Sequence, residues 1–170
     1  MSAEDVARWA ERLARASVPE EVDLASAMAE AFVRGGADRA DLFRQAGAVP
    51  GGFSPGDLLA VFPCILSAVT VAGQTLWALV GGDASSASTL IRNLDELWNR
   101  YRDRRRGKAT DHDIPYAELS RAITTIETQL VQSGIEPERS ELLTFRVVRA
   151  LIEDEAGTKA FLAASDAAPR

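Results

Sequence analysis

The sequence predicts an all-α protein, an orthogonal or irregular bundle of seven to eight helices around a central apolar helix at about Leu58–Val80. Three observations lead there. No stretch shows sustained period-two alternation, so no strand is expected. Apolar residues recur instead at helical spacing, in runs separated by Gly- and Pro-bearing connections. Between Asp57 and Asp83 there is no charged residue, and a helix apolar all round is the packing partner that amphipathic neighbours need.

Ser2 is placed to cap a first helix, with Asp5 near its positive end and Val6, Trp9, Ala10 and Leu13 along one side. Pro19, followed by Glu20 and Glu21, suits a second helix start. Ala25, Met28, Ala29 and Phe32 form its inner stripe, and Gly35-Gly36 ends it where the backbone must take a positive φ. A short helix over Asp38–Ala46 is expected to bury Leu42 and Phe43. Residues 47–56 contain Pro50, Gly51, Gly52, Ser54 and Pro55 and read as a hinge loop. Ser54 and Pro55 would then open the apolar helix, which Gly81-Gly82 closes.

Leu90, Ile91, Leu94, Leu97, Trp98 and Tyr101 make the cleanest stripe in the chain, on a helix running out into Arg104-Arg105-Arg106. Pro115 opens the next helix, lined by Leu119, Ala122, Ile123, Ile126, Leu130 and Val131 and ended by Gly134. From Pro137, Leu142, Leu143, Phe145, Val148, Leu151 and Ile152 occupy more than one face, as a well-buried helix requires. A last short helix near 156–164 would dock through Phe161 and Leu162, leaving 165–170 as a loose tail. Residues 1–170 read as one domain.

Composition narrows function. A chain of 170 residues with 46% hydrophobic and 26% charged residues is an ordinary globular composition. A net charge of −6 argues against nucleic acid as the partner. The lone Cys64 excludes an internal disulfide and reads as a buried structural thiol of a reducing cytoplasm. The opening Met-Ser-Ala-Glu-Asp has no apolar stretch, so no signal peptide is expected. Seventeen Arg against two Lys, with abundant Ala, is the bias of a GC-rich bacterial genome.

As one helix, Leu58–Val80 would reach roughly 35 Å at about 1.5 Å per residue, enough for a bilayer core of about 30 Å. Its acidic flanks lack the cations of a stable span, the nearest following one being Arg92. Pro63, Ser67, Thr70 and Gln74 form a polar edge suited to a central helix, and Pro63 is the expected kink. The side chains that would form the core, or insert into a membrane once released at the hinge, are Leu58, Phe62, Ile65, Leu66, Val69, Leu76, Trp77 and Val80.

Arg100, Arg102, Arg104, Arg105, Arg106 and Lys108, against the single acid Asp103, are the one local reversal of charge. They read as a docking patch for a protein with an acidic surface. Asp111-His112-Asp113 holds the only histidine, but adjacent loop residues do not converge on a metal. No nucleophile elbow, phosphate loop or distinguished carboxylate pair occurs. Neither catalysis, a metal nor a cofactor is expected. The sequence therefore points to a non-enzymatic protein–protein interaction module, an adaptor, accessory or regulatory subunit of the bacterial cytoplasm, with self-association left open. The alternative is a membrane-active effector of a conflict or defence system, soluble at rest, that associates with membrane through 58–80 on activation.

Overall fold

The structure, a computed structural model, describes residues 3–45, 60–81, 87–105 and 116–166. The described residues form an all-α fold of nine helices without strands. In chain order these are α1 (Ala3–Ser17), α2 (Val22–Arg34), α3 (Gly36–Gln45), α4 (Val61–Val71), α5 (Gly73–Gly81), α6 (Ala87–Arg105), α7 (Ala117–Gln132), α8 (Pro137–Glu153) and α9 (Glu155–Asp166), with a 3₁₀ turn at Pro19–Glu21 before α2. The ninth helix arises because the long apolar segment is two helices. The Ser2 cap, the hinge at 47–56, the Asp111-His112-Asp113 loop and Leu58 lie outside the described residues.

The break in the segment corrects the expected single helix. Its two halves, Val61–Val71 and Gly73–Val80, turn by 72°. Pro63 is not the cause. It stands in the first turn of α4, where a missing N–H leaves no helical bond unmade. The bend falls at Ala72, whose N–H reaches back to the Ala68 carbonyl at 3.0 Å while its own carbonyl accepts from Leu76 N–H at 2.9 Å. The three residues before it, Val69, Thr70 and Val71, are β-branched and stiff. Thr70 Oγ1 also donates to the Leu66 carbonyl at 2.9 Å, a back-bond that bends helices.

α4 does not begin at a nearby serine. Its N-cap is Ala60, and the Glu21 carboxylate accepts from Val61 N–H at 2.7 Å and from Phe62 N–H at 2.9 Å. A negative charge satisfies two orphan donors and complements the helix dipole, from 40 residues away in sequence. Val61, Phe62, Ile65, Leu66 and Val69 are buried. α4 packs on α7 and α2, and α5 on α7 and α9.

The first and last helices lock together. The Trp9 and Phe161 rings stack with centroids 4.3 Å apart, and Phe32 adds a tilted contact to Phe161. Trp9 Nε1–H donates to Thr158 Oγ1, which itself donates to the Leu151 carbonyl. Gly157 makes the approach feasible, since a Cβ there would lie 2.6 Å from Trp9 Cδ1. Asp154 caps α9 through Gly157 N–H and pairs with Arg12. Docking of the last helix through Phe161 and Leu162 is as expected, but α9 runs to Asp166 and buries Ser165, so helix extends into the stretch read as a tail.

α6 lays Leu90, Leu94 and Leu97 inward, with Trp98 against Phe145 of α8. α8 is buried on several faces, as its composition requires. Four side chains assigned to the interior, Phe43, Trp77, Val131 and Leu142, are exposed. Gly35 and Gly36 take φ of 72° and 56° between α2 and α3, the left-handed turn expected of the pair.

Candidate functional site

α4 and α5 share an apolar composition but not a fate. Leu76 and Val80 of α5 are buried, whereas Trp77 is 48% exposed and Val71, at the bend, 55%. Trp77 is therefore not part of the core. A 72° turn forces this outcome, since one side of α5 reaches α7 and α9 while the other is carried away from the α4 partners.

The exposed side of α5 forms a wall of a groove of about 1140 Å³ shared with α3 and α9. The α3 wall is a helical row of Gly36, Arg39, Ala40 and Phe43, at i, i+3, i+4 and i+7; the facing wall takes Thr70 from α4, before the bend, and Gln74 and Trp77, one turn apart, from α5. Leu162 and Asp166 of α9, one turn apart, complete the groove. A row like that of α3 is a ridge that a further helix packs against. Gly36 and Ala40 keep the α3 wall low, while Phe43, Val71 and Trp77 supply the apolar contact area.

Of the polar residues in the lining, Arg39, Thr70, Gln74, Ser165 and Asp166, two have distinctive surroundings. The Arg39 guanidinium lies 3.9 Å from the centroid of the Phe32 ring, and burial lowers its pKa from the usual value. The Ser165 hydroxyl is buried and has no hydrogen-bond partner among the described residues. Nothing in this groove is arranged as nucleophile, base and orienting acid. Among the described residues, no three of His, Cys, Asp and Glu gather closely enough to hold a metal ion.

Compared with protein-family models, curated proteins and solved structures, the chain matches none.

The other surfaces singled out from sequence fare differently. Arg100 is engaged by Glu96 one turn before it, and Tyr116 O–H also donates to that carboxylate at 3.2 Å. Arg102, Arg104 and Arg105 lie on the last turn of α6 with their side chains outside those described, and Arg106 and Lys108 lie outside the described residues. Cys64 is a free, buried thiol. Burial pushes its pKa up, a hydrogen bond with Ser133 opposes this, and the Glu21 carboxylate adds to the upward shift.

No single helix among the described residues is long and apolar enough to cross a membrane; α4 and α5 reach that length only together, through their bend. Sequence reasoning placed Trp77 and Phe43 inside, and it missed the groove for the same reason. A row at 36, 39, 40 and 43 is legible as one helix face, but which rows come to share an opening depends on the bend at Ala72.

Proposed function

We propose that the chain is a non-enzymatic protein-interaction module, acting as an adaptor or regulatory subunit, and that its groove takes an amphipathic helix of a partner protein. The observation that carries this is the exposure of Phe43, Val71 and Trp77 in one groove with the helical row of α3 along one side. Large side chains gathered in an open concavity are the usual marker of a helix-in-groove surface. The Arg-rich end of α6 is the lesser surface, because Arg100 is already held by Glu96. Insertion into a membrane would first have to withdraw eight buried residues of α4 from their packing and detach Glu21 from its N-terminus.

The test is site-specific photo-crosslinking in the cell that produces the chain. A benzoylphenylalanine at position 77 or 43 is expected to trap one discrete protein, whereas the same probe at exposed Leu142 does not. Identical adducts from all three sites, or none from 77 and 43, would reject the groove. Crosslinks to lipid alone would favour the membrane-active effector in its place.

A further inference from the structure

Among the described residues, Arg39 is the only cation lining the groove. Its environment differs from that of Arg34, the last residue of α2, which is paired with Glu30 and Asp38. Among the described residues Arg39 has no carboxylate at ion-pair distance, and its sole contact of this kind is the face of Phe32. A ring face attracts a guanidinium but accepts none of its five N–H donors in the plane of the fork. Arg39 lines the groove, so donors that no described carboxylate occupies are within its walls.

The other charge in the groove, Asp166, is exposed and water-screened, whereas Arg39 is partly buried. Arg39 is therefore the charge whose pairing a ligand would feel. An apolar surface around a guanidinium with free donors is complementary to a carboxylate carried on an apolar body. The walls then choose among such bodies. Val71 and Trp77 are about half open to solvent, unlike the walls of an enclosed small-molecule pocket, which cover most of their ligand. The row of α3 at helical period suits a helix.

Resting on the groove reading above, the geometry points to a partner helix with a defined acidic anchor. It lays an apolar stripe over Phe43, Val71 and Trp77 and sets one Asp or Glu carboxylate, a turn away from that stripe, in a two-pronged pair with Arg39. The apolar side chains supply area and the carboxylate supplies register, because a helix slid by one turn loses the pair. Arg39 is thus the specificity determinant of the groove and the residue that selects against basic or neutral helices.

The probe is a library of helical peptides with leucines fixed at i, i+4 and i+7 and all polar positions randomised, selected on the full chain. The expected result is enrichment of Asp or Glu at a single position. A selected peptide should bind Arg39→Gln about tenfold more weakly than the original chain, the size of a lost charge-assisted pair. Its own Glu→Gln (or Asp→Asn) form should bind both chains alike, and Arg39→Lys should recover part of the loss. Thermal melts of Arg39→Gln check that the fold survives without the Phe32 contact.

Selected peptides without an acidic preference, whose binding is nonetheless lost in Trp77→Ser, would overturn the carboxylate anchor and leave the groove standing. Binding indifferent to Trp77→Ser, or no binders at all, would overturn both. Arg39-dependent binding of palmitate in place of peptides, or a concentration-dependent dimer dissolved by Trp77→Ser, would overturn the partner helix in favour of a fatty acid or a second copy of the chain.

Discussion

α4 and α5 are two halves of one uncharged segment, and they end in different environments. α4 buries eight of its eleven residues between α2 and α7 and has its N-terminus closed by Glu21. α5 buries Leu76 and Val80 but turns Gln74, Trp77 and Ala78 outward. α5 is less apolar than α4, but both are apolar, and hydropathy alone does not account for the difference. The geometry at Ala72 does, since a 72° turn means that one set of neighbours cannot enclose both halves. An apolar helix is a demand for partners, and how far the demand is met depends on direction.

The largest expected contrast comes from truncating one aromatic in each half. Phe62 is fully buried in α4, so Phe62→Ala should cost about 3–5 kcal/mol by urea denaturation. Trp77→Ala, although it removes a bigger side chain, should cost less than about 1 kcal/mol because the indole is already half in water. Equal losses would show that the two halves are buried alike and that the groove is not open in solution.

Next in size is Gly157→Ala, which acts on α5 through its α9 neighbour. The new methyl would meet Trp9 side-chain atoms at 2.6 and 2.9 Å, and the loss should be about 1–3 kcal/mol. The indole fluorescence of Trp9 should shift as its stack with Phe161 opens. An unchanged melt and spectrum would mean that α1 and α9 are not held this close.

Glu21→Ala sharpens the comparison from the α4 side. Losing a carboxylate that holds two backbone N–H groups should cost about 1–2 kcal/mol, the usual range for a helix cap. Amide exchange should then quicken at Val61 and Phe62 while Leu76 and Val80 stay protected. Uniform acceleration across both helices would refute a separate anchor for α4.

The smallest effect concerns Cys64. Its folded-state pKa lies above the unfolded value, so its contribution to stability is full at pH below the unfolded pKa and is lost as pH rises through the folded one. On the alkaline side, stability of the original chain should therefore fall more steeply with pH than that of Cys64→Ala. Parallel curves would show that the thiol titrates alike in both states.

Much of the helical layout was legible along the chain. The α6 stripe through Leu90, Leu94 and Leu97, the positive-φ stop at Gly35-Gly36 and the multi-faced burial of α8 are local patterns, set by helical period and by glycine's tolerance of left-handed backbone. The cap on α4 was not legible, because Glu21 is 40 positions away and looks like any acid in a first turn. The groove was not legible either. Phe43 and Trp77 have the composition of core residues, and only the lack of a covering neighbour among the described residues makes them a surface.

The apolar segment divides the two kinds of knowledge. By itself the sequence determined that residues around 58–80 would be helical, uncharged and in need of apolar partners, since these properties follow from side-chain chemistry and period. The tertiary structure alone decided that the helix turns at Ala72, that a distant glutamate closes its start, and that Trp77 faces outward beside Arg39. Burial is a relation between surfaces brought together from distant parts of the chain, and no local pattern states which surfaces meet.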